Sequence, residues 1–370
     1  MKIRLLILGA GFAAATATLL AHHSMTAVYN DATPVTIAGT ITKFEWVNPH
    51  VWVFVDSTGA GAVTKWEVEF ASRTELRRSG WTGESLHVGD VVTIAASRAR
   101  DNSHKAHGKT ITLSGGAKLS EASLPAPRAK QASRPAPRWP NGHVRLGAEP
   151  GQAGYWANPS RPALFENTAG NLAMNYEGIL ANIADADKVA PFQPWAKAIY
   201  TYRQRNLLKD DPMAVCLPPG GPRQFQAPYG VQLQEDPDRS RVFVLSRGGN
   251  RNWRLIDLDG RALPNGEDVT PTFFGYSAGK WEGDTLVIQT VGLIERFWFS
   301  NGGLPHTESA RLTERISRPD YDTLRYEVTV DDPGAYTRPW TSSWDLQWIA
   351  GDDVDEYFCD DYNRELEHVN

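Results

Sequence analysis

Three histidines near the N-terminus have the spacing of a small metal chelate. His22 and His23 are adjacent, and His50 follows within the length of one small domain. Imidazole nitrogens suit copper well. Cutting the chain after Ala21 would make His22 the first residue, so that its α-amine and imidazole could chelate one ion. His23 or His50 would then supply a third nitrogen. A second constellation lies far along the chain, where His306 and Glu308 follow a Gly-Gly-Leu-Pro stretch between two strand patterns. Histidine moves protons near neutral pH, and a neighbouring carboxylate sets its charge and tautomer. Loops between strands often carry such groups. This pair suits lyase, isomerase or hydrolase chemistry on a small, partly apolar molecule walled by Trp298, Trp340, Trp344 and Trp348. His104 and His107 form an H-x-x-H on a segment of Ser, Lys and Gly, which reads as a solvated loop.

Other chemistries are disfavoured. The sequence has no Gly-x-Ser-x-Gly, P-loop, dinucleotide fingerprint or zinc-protease helix motif. The formal net charge is −5, which makes the chain as a whole a poor nucleic-acid binder. Cys216 and Cys359 are the two cysteines, without C-x-x-C spacing. An even count in an exported protein points to one disulfide rather than redox catalysis. A non-enzymatic envelope protein that only binds partners is the remaining class.

The elements that must position these residues begin with a leader. Lys2 and Arg4 precede an apolar run over residues 5–20, shorter than the roughly 20 residues of a membrane span. With Ala21 behind it, this reads as a signal peptide over residues 1–21, cut after Ala21 or, alternatively, after Ala17. The expected location is periplasmic or secreted, with no transmembrane span after cleavage.

Residues 33–119 alternate apolar and polar side chains in five runs, with a short helix over 72–79 capped by Ser72 and Glu75 between the third and fourth. That order predicts a small OB-like β-barrel. Residues 120–140, rich in Pro, Ala and basic side chains, read as an extended spacer. Residues 141–370 read as a second, antiparallel domain. Its first part is mainly loop, with a weak helix near 176–183, and a stronger helix follows over 194–208. Seven or eight strands then come in close succession without crossover helices, which predicts a closed or nearly closed lipocalin-like barrel, with a sandwich as the alternative. Within it, Gly283-Asp284 makes a turn into the strand 286–290.

The motifs Ala21-His22-His23-Ser24, Trp46-Val47-Asn48-Pro49-His50-Val51-Trp52, Trp66-Glu67-Val68-Glu69, Gly80-Trp81 and Gly89-Asp90 resemble a family of exported bacterial proteins of unknown function. The similarity covers about residues 21–116. In the second half, Cys216-Leu217-Pro218, residues 220–223 and 281–286, Pro305-His306, Asp332-Pro333 and Tyr336-Thr337-Arg338-Pro339-Trp340 are also similar to uncharacterised exported bacterial proteins. The resemblance implies export and, for the first half, a small β-barrel. It brings no activity.

Overall fold

The computed structural model describes residues 24–59, 61–121, 134–157, 171–175, 177–226, 230–246, 252–265 and 269–353. The signal-peptide expectation, His22, His23 and Cys359 lie outside these residues. The chain is mainly β, in two bodies.

The first body starts with a single helical turn, α1 (Met25–Val28), which runs directly into the long strand β1 (Tyr29–Glu45). β2 (Trp52–Gly59) and β3 (Ala62–Glu69) form a hairpin. α2 (Arg73–Arg78) follows, with Ser72 Oγ accepting from the Glu75 N–H at 3.3 Å, as its sequence predicts. β4 (Val91–Ala99), β5 (Lys105–Leu113) and the short β6 (Lys118–Ser120) complete a sheet of order β3-β2-β1-β4-β5-β6. A further parallel pairing of β3 with β5 brings the sheet round on itself, which gives the expected OB-like small barrel. Its core is apolar and includes Ile37, Val53, Val68, Phe70, Trp81 and Ile94.

The second body is a closed barrel of nine strands. Its strands are β7 (Gly154–Ala157), β8 (Val231–Asp236), β9 (Arg241–Ser246), β10 (Asn252–Asp257), β11 (Tyr276–Glu282), β12 (Thr285–Val291), β13 (Arg311–Ser317), β14 (Thr323–Asp331) and β15 (Trp340–Ala350). Closure runs through β7, which pairs with both β15 and β8. The one parallel seam is a single register pair, Asp257 with Ala278, between β10 and β11. Two strands escape the sequence pattern. β7 is short and buried on all four residues, so it shows no alternation. β11 is the polar half of the hairpin whose turn is Gly283-Asp284.

The helix α3 (Pro194–Arg205) forms where expected but ends sooner, because Leu207 and Leu208 take left-handed backbone conformations. The weak helix expected near 176–183 does not form among the described residues. Met174 and Leu180 make a β-bridge there, and a 3₁₀ turn covers Ile183–Lys188. Residues 134–140 lie on the second barrel: Arg138 pairs with Asp284 at 2.6 Å, and Trp139 Nε1 donates to Glu235 at 2.9 Å.

Among the described residues, a plug occupies the interior of the second barrel. The 3₁₀ segment Gly221–Phe225 is buried on every residue. The Phe225 ring stacks on Tyr326 at 4.3 Å, Trp344 Nε1 donates to the Phe225 carbonyl, and Gln224 Nε2 donates to the Val244 carbonyl and Ser246 Oγ. Gly220 is required beside this plug. A Cβ there would fall 2.0 Å from the Phe273 carbonyl oxygen.

Beside the plug runs a buried polar ladder. Arg254 is 1% exposed and Glu314 0%. Arg254 donates to Ser277 Oγ at 3.0 Å, to Glu314 Oε1 at 2.9 Å, to Thr290 Oγ1 at 2.6 Å and to Glu314 Oε2. Tyr326 donates to Glu314 Oε1 at 2.7 Å. Burial by itself penalises both charges, but their mutual attraction and hydrogen bonds outweigh it. Glu314 is held below the usual carboxylate range and Arg254 is raised.

Candidate functional site

At one end of the first barrel, strand ends bring polar side chains together. Glu69 is the last residue of β3 and is 1% exposed. Tyr29 is the first residue of β1, and its hydroxyl donates to Glu69 Oε2 at 2.6 Å. His50 stands two residues before β2, whose Trp52 is in register with Glu69. The pair Val51 N–H to Ala71 carbonyl (3.2 Å) and Phe70 N–H to Val51 carbonyl (2.8 Å) locks that approach. It sets His50 Nδ1 directly against Glu69 Oε1.

A carboxylate only accepts, so Glu69 accepts hydrogen bonds from the tyrosine hydroxyl and from the imidazole N–H. His50 therefore carries a hydrogen on Nδ1. Metal-binding histidines commonly make this pairing with a carboxylate, which fixes the ring and raises its basicity.

The polar cluster continues along β5. His107 is in register with Glu69, and its ring lies 5.7 Å from Tyr29. It is a buried strand residue, not part of a solvated loop, because the parallel β3–β5 pairing covers it. Its Nε2 meets Glu121 at 2.9 Å and its Nδ1 accepts from Lys109 Nζ at 2.7 Å. His104, the other half of that motif, is exposed and packs edge-on against Trp66. A protonated amine on one nitrogen and a carboxylate on the other make His107 a structural link, not a metal ligand.

Among the described residues no group of three or more His, Cys, Asp or Glu side chains is placed to hold a metal ion. A centre at His50 therefore depends on His22 and His23. His23 directly precedes Ser24, whose hydroxyl caps α1. The run from Ser24 through α1 leads straight into Tyr29, at the same barrel end.

The second constellation is not assembled. His306 is 4% exposed and lies flat on Phe299, with ring centroids 4.0 Å apart, and also against Phe297. Its Nε2 donates to the Ile294 carbonyl at 3.0 Å, and Nδ1 has no hydrogen-bond partner. Burial pushes its pKa down to about 3, with a smaller contribution from nearby Arg203. The imidazole is thus held neutral within an aromatic layer.

Glu308 is exposed, and its backbone N–H donates to Glu295. The expected His306–Glu308 pair is thus corrected: the chain turns at 308–309, so that His306 is buried while Glu308 faces solvent. The four tryptophans are all buried. Trp348 packs on Trp156 at 4.8 Å, Trp344 on Tyr326 at 4.8 Å and Trp340 on Tyr336 at 5.2 Å. Trp298 lies under the Arg203 guanidinium at 4.6 Å. The second barrel does carry a groove of about 230 Å³, but it lies where Pro135 and Arg138 meet Asp284 and Arg318, away from His306.

Glu69, Tyr29 and His107 escape sequence reasoning. In the run Trp66-Glu67-Val68-Glu69, strict alternation puts Val68 in the core and Glu69 in water. Both are buried, because β5 covers the end of β3 from its other edge.

Residues 11–109 match a family of unknown function (DUF6152), which covers well under half of the chain. No curated protein matches. Among solved structures, the chain is similar to a mitochondrial single-stranded DNA binding protein from S. cerevisiae, Rim1. The identity is 17% and the TM-score 0.19, over 22% of this chain and 92% of that one. At that TM-score the likeness bears on neither ligand nor mechanism.

Proposed function

We propose that this is an exported protein whose first barrel binds one copper ion at the end where Tyr29, His50 and Glu69 meet. The observation that carries this reading is the buried Glu69 carboxylate bonded to His50 Nδ1, the pairing by which a carboxylate commonly orients a metal-binding histidine. His22, exposed as the first residue by cleavage after Ala21, would add its α-amine and imidazole, with His23 beside it. Two or three such nitrogens form a donor set suited to copper. The protein acts here as a binder or carrier, and the filled second barrel is the body on which the first is mounted.

The test is titration of the mature protein with copper, followed calorimetrically, beside His50→Ala. The expected result is one ion per chain in the parent, with affinity lowered at least 100-fold in the variant. Equal affinity in both would overturn the reading.

Export carries a linked proposal, that Cys216 and Cys359 form a disulfide. They are the only two cysteines, no cysteine among the described residues is free, and export supplies an oxidising compartment. Alkylation of denatured, unreduced protein, combined with N-terminal sequencing, is expected to find no free thiol and a chain starting at His22. Two labelled thiols, or a start at Met1, would refute it.

A further inference from the structure

We infer that the two barrels open as one cooperative unit, held together by a clasp with two anchors. The clasp is independent of any bound ion. Its first anchor is the short arm that enters β1. The Glu177 carboxylate, on the second body, accepts the backbone N–H of Met25 at 2.7 Å through Oε1 and of Thr26 at 2.9 Å through Oε2. These are first-turn donors of α1, which a helix leaves without partners of its own. Asn175 Nδ2 adds a bond to Thr26 Oγ1 at 3.1 Å. From the first body, Arg100 Nε donates to the Thr26 carbonyl at 2.9 Å, and the Arg100 N–H donates to the Val28 carbonyl at 2.8 Å. The arm is fastened to both bodies at once.

The second anchor lies on β7. Trp156 belongs to the core of the second barrel, so its neighbour Tyr155 faces outward. Tyr155 is nevertheless 0% exposed. Arg78, the last residue of α2 in the first body, donates to the Tyr155 hydroxyl from Nε at 3.2 Å and from Nη2 at 3.1 Å. Its guanidinium also lies 5.4 Å from the ring centre, within reach of a cation–π attraction.

Both anchors rest on parts of the second body that its folding puts in place. β7 is the closing strand, held by β15 on one side and β8 on the other. The loop that presents Glu177 is braced by a helix. Asn175 Oδ1 accepts from the N–H groups of Glu177 and Ile179 at 3.0 and 2.9 Å, which closes a side-chain turn. Behind it, the buried Gln204 of α3 donates to the carbonyls of Gly178 and Gly302 at 2.8 and 2.7 Å and accepts from the Leu180 N–H. Opening the second barrel therefore takes away the partners of Arg78 and of the arm. Hydrogen bonds to charged groups, as at Glu177 and Arg78, are roughly twice as strong as neutral ones. The covalent link between the bodies keeps their effective concentration high, so a few such contacts suffice to hold them.

The experiment weakens one barrel and reads the other. Amide exchange is followed in β4 of the first body and β14 of the second, in metal-free mature protein. Glu314→Gln, which removes the charge facing Arg254 inside the second barrel, is expected to lower protection about 100-fold or more in both strands. In a background of Arg78→Ala with Glu177→Ala, the same change should lower protection in β14 and leave β4 unaffected. Protection in β4 that ignores Glu314→Gln while both anchors are intact would overturn the inference. Calorimetry tests it without touching the buried ladder. The parent should melt in one transition, and Arg78→Ala with Glu177→Ala in two. Two transitions in the parent, or one parent-like transition in the double variant, would also overturn it.

Discussion

Glu314→Gln is expected to destabilise the protein by about 3–5 kcal/mol, the cost typical of removing one member of a buried ion pair. The replacement keeps the shape of the side chain but strips its charge. Arg254 is then left with a full positive charge inside a closed barrel, facing neutral groups only. For a domain of this size the melting temperature should fall on the order of 10 °C, measurable by circular dichroism. The double variant Arg254→Met, Glu314→Leu removes both charges and should recover much of that loss, since apolar pairs of similar volume often replace buried ion pairs without penalty.

Acid should act in the same direction as Glu314→Gln. Glu314 is held below its ordinary value, so its stabilising contribution is complete above about pH 4.5 and is lost as pH falls through the lower folded value. The acid limb of the parent should therefore be steeper than that of the double variant. A melting temperature in Glu314→Gln within a degree or two of the parent would show that the ladder carries no such energy.

Glu69→Gln is expected to lower copper affinity about 10-fold or more, within the 10–100-fold range for outer-shell partners of metal-binding histidines. An amide can still hold the His50 ring in place, but it no longer draws the Nδ1 proton with a negative charge, so Nε2 becomes a weaker base. Tyr29→Phe should have a smaller effect. It removes one hydrogen bond from the carboxylate but leaves the carboxylate on His50. Competition titrations at neutral pH on the three proteins would rank them. Parent-like affinity in Glu69→Gln, with binding lost in His50→Ala, would mean that the imidazole needs no carboxylate to bind the ion.

The architecture was largely legible because both barrels obey period-two patterning. Leu312, Ile316, Leu324, Val328 and Leu346 all point inward as their alternation requires. The plug was not legible. Residues 221–225 carry Pro, Gly, Arg and Gln, composition typical of a surface loop, yet they fill the barrel. The ladder left a trace in the sequence: Glu314 and Thr290 occupy positions in phase with apolar neighbours, the mark of an inward polar group. On β10 the phase misleads, because Trp253 at 59% exposure looks like the core residue and Arg254 like the surface one.

Of the candidate site, His50 could be named from its residue type and surroundings. Glu69 and Tyr29 could not, since their meeting depends on a parallel strand pairing and on where three strands end. His306 misled for the opposite reason. Its type suggests proton transfer, but its fold position buries the imidazole and leaves the Glu308 carboxylate in solvent.

The order of pairing in the second barrel has a consequence for its synthesis. β7 is the first of the barrel's strands to be made, yet its partner β15 is the last of them, and the residues between them supply every other stave of the barrel. Until residue 350 is in place, β7 and β14 both present unpaired edges, and the plug at 221–225 has no wall to close over it. Folding dominated by pairings this distant in sequence is slow, and open strand edges invite pairing with other chains. Emergence of β15, rather than of any earlier strand, is the event that lets this barrel close.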